Sequence, residues 1–232
     1  MTKRITLDSS VLQFCFVPPD VVEKRREEEW KTYHPRAKVF WDSVIKGQVQ
    51  LITPFIVLAE IAIVYARIRA AQYRTKSTLA ELTPIIEQAR EAARERRRTN
   101  EGSIYRLEDL VGAPDETIAN DSTLLSHAIA LAADDQGQQV IELVCSTSAE
   151  FLPFDRDVLP TAVSMATKGQ LRAADACIAA SSLQASAILV TADNTFHENV
   201  VKNLKDVIPN IESRIINFRV MSDEDIRSFL SI

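Results

Sequence analysis

Apolar positions fall into two kinds of segment along this chain. Short apolar runs lie at residues 4–7, 49–53, 149–152 and 187–190, and a run with alternating polar positions lies at 214–220. Runs of this length predict strands, the unbroken ones buried on both faces. Longer segments with helical spacing separate them, at 11–16, 21–31, 36–46, 55–72, 77–99, 124–133, 140–144, 157–167, 173–185, 196–204 and 223–229. Pro18-Pro19 ends the first of these. Pro54 is placed to open the helix that follows the second strand, and Asp157 and Gly169 are placed to open and close another. Gly137 is expected to split the apolar stretch 124–144 in two, and 99–114 reads as polar loop with a little helix. Strands alternating with helices predict an α/β chain with a parallel sheet covered on both faces.

Composition narrows the picture only where it excludes something. The 232 residues are 46 % hydrophobic and 25 % charged, as in an ordinary globular chain, and only five glycines argue against a loop-rich all-β architecture. The length allows one large domain or two small ones, and no clean linker divides it. A net charge of −5 gives no overall attraction to a polyanion, so nucleic acid would need a local basic patch or metal ions. Arg67, Arg69, Arg74 and Lys76 form such a run with no acid between them. The Arg-rich end of 77–99 differs, because Glu87, Glu91 and Glu95 each stand three residues before an arginine, the pattern of a solvated helix face. Cys15, Cys145 and Cys177 are odd in number and scattered, which points to reduced thiols in a cytoplasmic protein. No run is long enough to span a bilayer, and no membrane partner is expected. His34, His127 and His197 show no zinc-ligand spacing.

Acids in apolar surroundings carry the chemistry. Asp175 shares a helix face with Leu171, Ile178 and Ser182. Removing an unpaired carboxylate from water costs on the order of several kcal/mol, so that position needs a cation, a donor or a water-filled cleft. Glu60 stands in an apolar helix beside Leu58, Ile61 and Ile63, while Asp8 ends the first strand and Asp193 follows the fourth. In an open parallel sheet, sites form outside the carboxyl ends of the strands, so all four acids can reach one rim. Four carboxylates together repel one another unless a hard, oxygen-seeking cation such as Mg²⁺ or Mn²⁺ neutralises them. Taken singly, each has a plainer role. Asp8 and Asp193 can cap helices, Glu60 can pair with Arg67 or Arg69, and Asp175 can pair with Arg172.

Leu7-Asp8-Ser9-Ser10, Pro54-x-x-x-Leu58-Ala59-Glu60, Ala174-Asp175-Ala176-Cys177-Ile178-Ala179-Ala180 and Leu189-Val190-Thr191-Ala192-Asp193-x-x-Phe196, in that order, resemble the four acidic motifs of PIN-domain nucleases. The resemblance covers about residues 3–68 and 149–220. It implies a single PIN-type domain over 1–232, an α/β/α sandwich with an enlarged helical insertion at about 66–138. It also implies a Mg²⁺- or Mn²⁺-dependent endoribonuclease like the VapC-type toxins, with RNA as substrate and an antitoxin or a second copy of the chain as partners. Asp8, Glu60, Asp175 and Asp193 would be the catalytic and metal-holding acids, with Ser9 and Thr191 steadying the first and last of them. The run Arg67, Arg69, Arg74 and Lys76 would hold nucleic acid. Two departures stand out: Thr195 occupies a place where compact toxins of this family often carry another acid, and the 66–138 span is longer than theirs. A non-catalytic PIN-fold binding module, or a DNA-directed nuclease of the flap-endonuclease class, is the alternative.

Overall fold

A computed structural model describes residues 2–17, 22, 24–99, 107–153, 156–206 and 208–231. Five parallel strands form one sheet: β1 (Lys3–Leu7), β2 (Val49–Pro54), β3 (Glu150–Leu152), β4 (Ile188–Thr191) and β5 (Ile215–Asn217). Their order is β3-β2-β1-β4-β5, with Ile5 aligned to Leu51 on one side and to Ile188 on the other. The expected α/β architecture is therefore present. β1 is central, and its Ile5 and Leu7 are buried, as are Leu51, Ile52, Leu189 and Val190 on its neighbours. The chain leaves β1 toward β2 on one side and later returns to β4 on the other. That reversal makes the β1/β4 edge the switch point at which sites open in such sheets.

The chain divides into two compact units, residues 1–61 with 143–232, and residues 62–142. The sheet lies wholly in the first. There α1 (Ser9–Phe16) follows β1 directly, and its Val11, Leu12, Phe14 and Cys15 are buried. The next helix, α2 (Lys24–Ile45), corrects an expectation: it is one helix running through Pro35, not two helices broken beside it. An interior proline removes one backbone hydrogen bond. Trp30, Ala37, Phe40, Trp41 and Val44, all buried along this helix, offset that loss. Trp30 packs on Phe14 with ring centroids 4.4 Å apart and donates its indole N–H to the Val17 carbonyl. His34, expected in a linker, is therefore helical, with its Nδ1 2.6 Å from the Phe14 carbonyl. Residue 21, where the first of the two helices was expected to begin, lies outside the described residues.

α3 (Phe55–Tyr73) begins at Phe55 as expected, directly after Pro54, the last residue of β2. The second unit holds the later part of α3, then α4 (Leu79–Arg98), α5 (Leu107–Gly112), α6 (Asp115–Asn120) and most of α7 (Ser122–Cys145). Thr78 and Glu81 close a capping box at the start of α4. Leu82, Ile86, Ala89, Leu110, Ile118, Ala128 and Leu131 are among its core. The expected break at Gly137 is absent. A Cβ there would lie 2.7 Å from the Ala62 carbonyl, so this glycine allows α7 to approach α3 closely rather than ending a helix. Arg90, expected on a solvated face, instead donates to the carbonyls of Leu110 and Ala113 and pairs with Asp115 at 2.5 Å. The expected Glu–Arg pairing persists further along, at Glu95 and Arg98.

The first unit is completed by α8 (Leu159–Lys168), α9 (Ala173–Gln184), α10 (Asn194–Leu204), α11 (Ile211–Arg214) and α12 (Asp223–Leu230). Val158, not Asp157, occupies the N-cap of α8, and Gly169 follows its end as expected. The last strand is shorter than its alternating pattern, because Phe218–Val220 turns into a 3-10 segment. All three cysteines are unbonded. Among the described residues, no helix is long and apolar enough to cross a membrane.

Candidate active site

All four sequence-predicted acids lie in the first unit. Asp8 sits between β1 and α1 and is only 5 % exposed. Although it occupies an N-cap position, its side chain makes no cap to α1. Its Oδ2 instead accepts hydrogen bonds from the Ser10 hydroxyl at 2.5 Å and the Thr191 hydroxyl at 2.8 Å. The same two hydroxyls accept from the loop after β4, Ser10 from the Ala192 amide and Thr191 from the Asp193 amide. Each therefore faces a carboxylate with its proton and an amide with its lone pair, which fixes its rotor. The Asp8 amide donates to the Val190 carbonyl at 3.0 Å, tying the same two strand ends through the backbone. Burial pushes the Asp8 carboxyl up from its ordinary value; the Ser10 and Thr191 bonds oppose this, and the Asp193 charge adds to it.

Glu60, in α3, is half-buried and accepts from the Ser9 hydroxyl at 2.9 Å. Burial raises its pKa, with a further push from Asp8. Among the described residues it has no ion pair, and Arg69 turns to the Tyr65 hydroxyl and to Gln72. Asp193 caps α10 through Oδ1, which accepts from the Phe196 amide at 3.0 Å. The plain role proposed for that residue is real, though it engages one oxygen of two. Arg219 braces the loop by donating from Nε to the Ala192 carbonyl at 2.6 Å while its Nη1 meets Glu29 at 2.5 Å.

Asp175 stands in the first turn of α9, half-buried, with Leu171, Ile178 and Ser182 buried on its face. Its pKa is pushed up to about 6 by burial first, then by the charges of Asp8, Glu60 and Asp193, with Arg172 acting weakly in the opposite sense. One carboxyl thus feels the other three, so the acids occupy a shared field. Among the described residues, none of the four forms an ion pair with a lysine or arginine. Nor do three or more His, Cys, Asp or Glu side chains meet closely enough there to hold a metal ion. These two facts are compatible: Coulomb coupling acts over several ångströms, whereas a divalent ion needs its oxygens at about 2.0–2.6 Å. Three of the carboxylates are meanwhile engaged by hydroxyls or an amide. The donor set itself, carboxylates and hydroxyls with no sulfur or imidazole, is of the chemical kind that hard divalent cations take.

Ser9 and Thr191 were expected to steady the first and last acids. Their hydroxyls go to Glu60 and Asp8, while Thr191 also receives the Asp193 amide. Ser10 was missed. The signal was present in the two adjacent hydroxyls after Asp8, since successive residues at a helix start diverge by about 100° and so serve different acids. The basic run lies in the second unit. Arg67 and Arg74 are exposed, Arg69 is tied to Tyr65, and Lys76 approaches Glu81 at 3.9 Å, so the run is not free of acids in space.

A family model for the PIN domain matches residues 123–201. That match supports a PIN-domain protein. It supports a nuclease-type function in general terms and spans Asp175 and Asp193, with β3, β4 and the helices between them. Asp8 and Glu60 lie outside the matched residues. No curated protein matches the chain, and no solved structure does.

Proposed function

We propose that this protein is a metal-dependent endoribonuclease, hydrolysing phosphodiester bonds at Asp8, Glu60, Asp175 and Asp193. What supports this reading is that Asp175 and Asp193 line one recess, that Ser10 and Thr191 tie Asp8 to the loop carrying Asp193, and that among the described residues no basic side chain pairs with any of the four acids. Carboxyls removed in part from water, with no cationic partner among the described residues, are costly to the fold, and a divalent cation would relieve that cost. Mg²⁺ or Mn²⁺, held by these acids, would lower the pKa of a bound water and offset charge on the leaving oxygen. The residues of the chain do the orienting. Ser10 and Thr191 aim Asp8, Ser9 aims Glu60, and Arg219 and Ser10 hold the two sides of the Ala192 peptide next to Asp193. In the overall reaction, water oxygen adds to phosphorus, the bond to the leaving oxygen breaks, and that oxygen takes up a proton given up by the water.

RNA is the substrate favoured by the likeness of the four motifs to VapC-type toxins. An antitoxin protein and a second copy of the chain are the partners that accompany that role. Residues at about 66–138 are then an enlarged helical insertion in a single PIN-type domain, with Arg67, Arg69, Arg74 and Lys76 as a nucleic-acid contact. One observation favours the second reading, a PIN-fold module that binds without cutting: the carboxylates do not stand at metal-ligand spacing. Incubation of the purified chain with single-stranded RNA, single-stranded DNA and branched DNA, with and without Mn²⁺, separates these readings. Mn²⁺-dependent internal cuts in RNA, with mapped ends, are expected. Cuts confined to branched DNA would replace RNA with the flap-type substrate, and retention of RNA without cutting would establish the binding module.

A further inference from the structure

A recess of about 260 Å³ opens directly beside the acids. Asp175 and Asp193 form part of its wall, and Gln170, Arg172, Thr195 and Asn199 supply the remaining polar groups over an apolar floor of Leu171 and Phe196. Its composition is asymmetric in a useful way. The acids are half-buried, whereas Arg172 and Thr195 are exposed and Arg172 has no ion pair among the described residues. Its guanidinium therefore keeps its donors available to a ligand, and among the described residues it is the one cation lining this recess.

We infer that this recess is the subsite for the nucleic-acid strand next to the scissile phosphodiester, with Arg172 as a positioning residue that holds a neighbouring backbone phosphate. The inference rests on the nuclease reading for the scissile bond, though its phosphate contact is separately measurable. A strand that reaches four carboxylates meets a repulsive field, and a guanidinium at the edge of that field supplies the local attraction that the net charge of −5 does not. Gln170 and Asn199 add amide donors and acceptors that can meet sugar or base edges. Thr195, at the start of α10, leaves the recess less negative than an acid would.

The test measures binding of a fluorescein-labelled single-stranded RNA, and of DNA of the same sequence, by anisotropy across a salt series, in an Asp8→Asn background so that the strand is not cut. Arg172→Ala is expected to raise Kd about tenfold and to flatten the slope of log Kd against log salt by about 0.7, the value for one lost phosphate contact on a single strand. Arg172→Lys should keep the slope. Thr195→Asp adds a charge at an exposed helix-start position where an acid favours the helix, so that variant folds and should weaken binding as well. In the otherwise wild-type enzyme, Arg172→Ala should raise KM with little change in kcat. Unchanged Kd and slope in both Arg172→Ala and Thr195→Asp would overturn the subsite. Arg172-dependent binding by a chain that cuts nothing with any divalent ion would overturn the nuclease reading and leave the subsite standing. Failure of the Asp8→Asn chain to bind either strand, with or without Mn²⁺, would overturn the subsite.

Discussion

Asp175 is where the site and the stability of the fold oppose each other, and Asp175→Asn measures by how much. In the folded chain its pKa is pushed from 3.8 up to about 6. A carboxyl whose folded value lies above its unfolded value holds a proton that the unfolded chain has already released. Stability is therefore fully present below 3.8 and is lost as pH rises through about 6. Each pH unit of that difference is worth about 1.4 kcal/mol, which gives roughly 3 kcal/mol for a fully buried group. Asp175 is only half-buried, and solvent screening reduces this to about 1.5 kcal/mol. Asparagine also gives up the favourable interaction of a negative charge with the first turn of α9, about 0.5 kcal/mol. Asp175→Asn should therefore stabilise the metal-free protein by about 1 kcal/mol at pH 8, or about 2–4 °C in Tm for a chain of this size. Thermal melts of both proteins in EDTA from pH 3.5 to 8 make the comparison. The gap should close below about pH 4, where Asp175 is protonated in both states. A variant that is less stable than wild type at pH 8, or a gap that does not change with pH, would refute the reasoning.

Three further outcomes follow from contacts already described. Asp8→Ala and Asp193→Ala should each abolish cleavage in a gel-based nuclease assay while the circular dichroism spectrum stays native; Asp193→Ala should also lose about 1 kcal/mol in denaturant unfolding, because Asp193 caps α10. Thr191→Val keeps the shape of the side chain but removes a donor to Asp8 and an acceptor for the Asp193 amide; it should cost about 1–3 kcal/mol by urea titration and reduce kcat more than KM. Gly137→Ala places a methyl 2.7 Å from the Ala62 carbonyl, so it should destabilise by about 1–3 kcal/mol although alanine is the better helix former; a stabilised variant would show that α7 and α3 are not in close approach there.

The strands and their parallel pairing could be read from the chain because they depend on local properties: unbroken apolar runs alternating with helical segments. What could not be read depends on partners distant in sequence. Pro35 and Gly137 are helix breakers by propensity, yet packing of Trp30, Phe40 and Trp41 around α2 and the backbone of Ala62 against α7 overrule them. Arg90 fits a solvated charge pattern until Asp115 and the end of α5 come within reach. The hydroxyls divide for the same kind of reason. Which acid Ser9, Ser10 or Thr191 serves depends on how β1, α1, α3 and β4 meet, and no spacing within one motif encodes that.

The central claim is that four carboxylates distant in sequence act as one cation site. Titration of Mn²⁺ into the wild-type protein, followed by the rise in Tm, tests it most directly when repeated with Asp8→Asn and Asp175→Asn. A saturable rise in the wild type that is lost in both variants is the predicted result. No rise at millimolar Mn²⁺, or an equal rise in all three proteins, would contradict it.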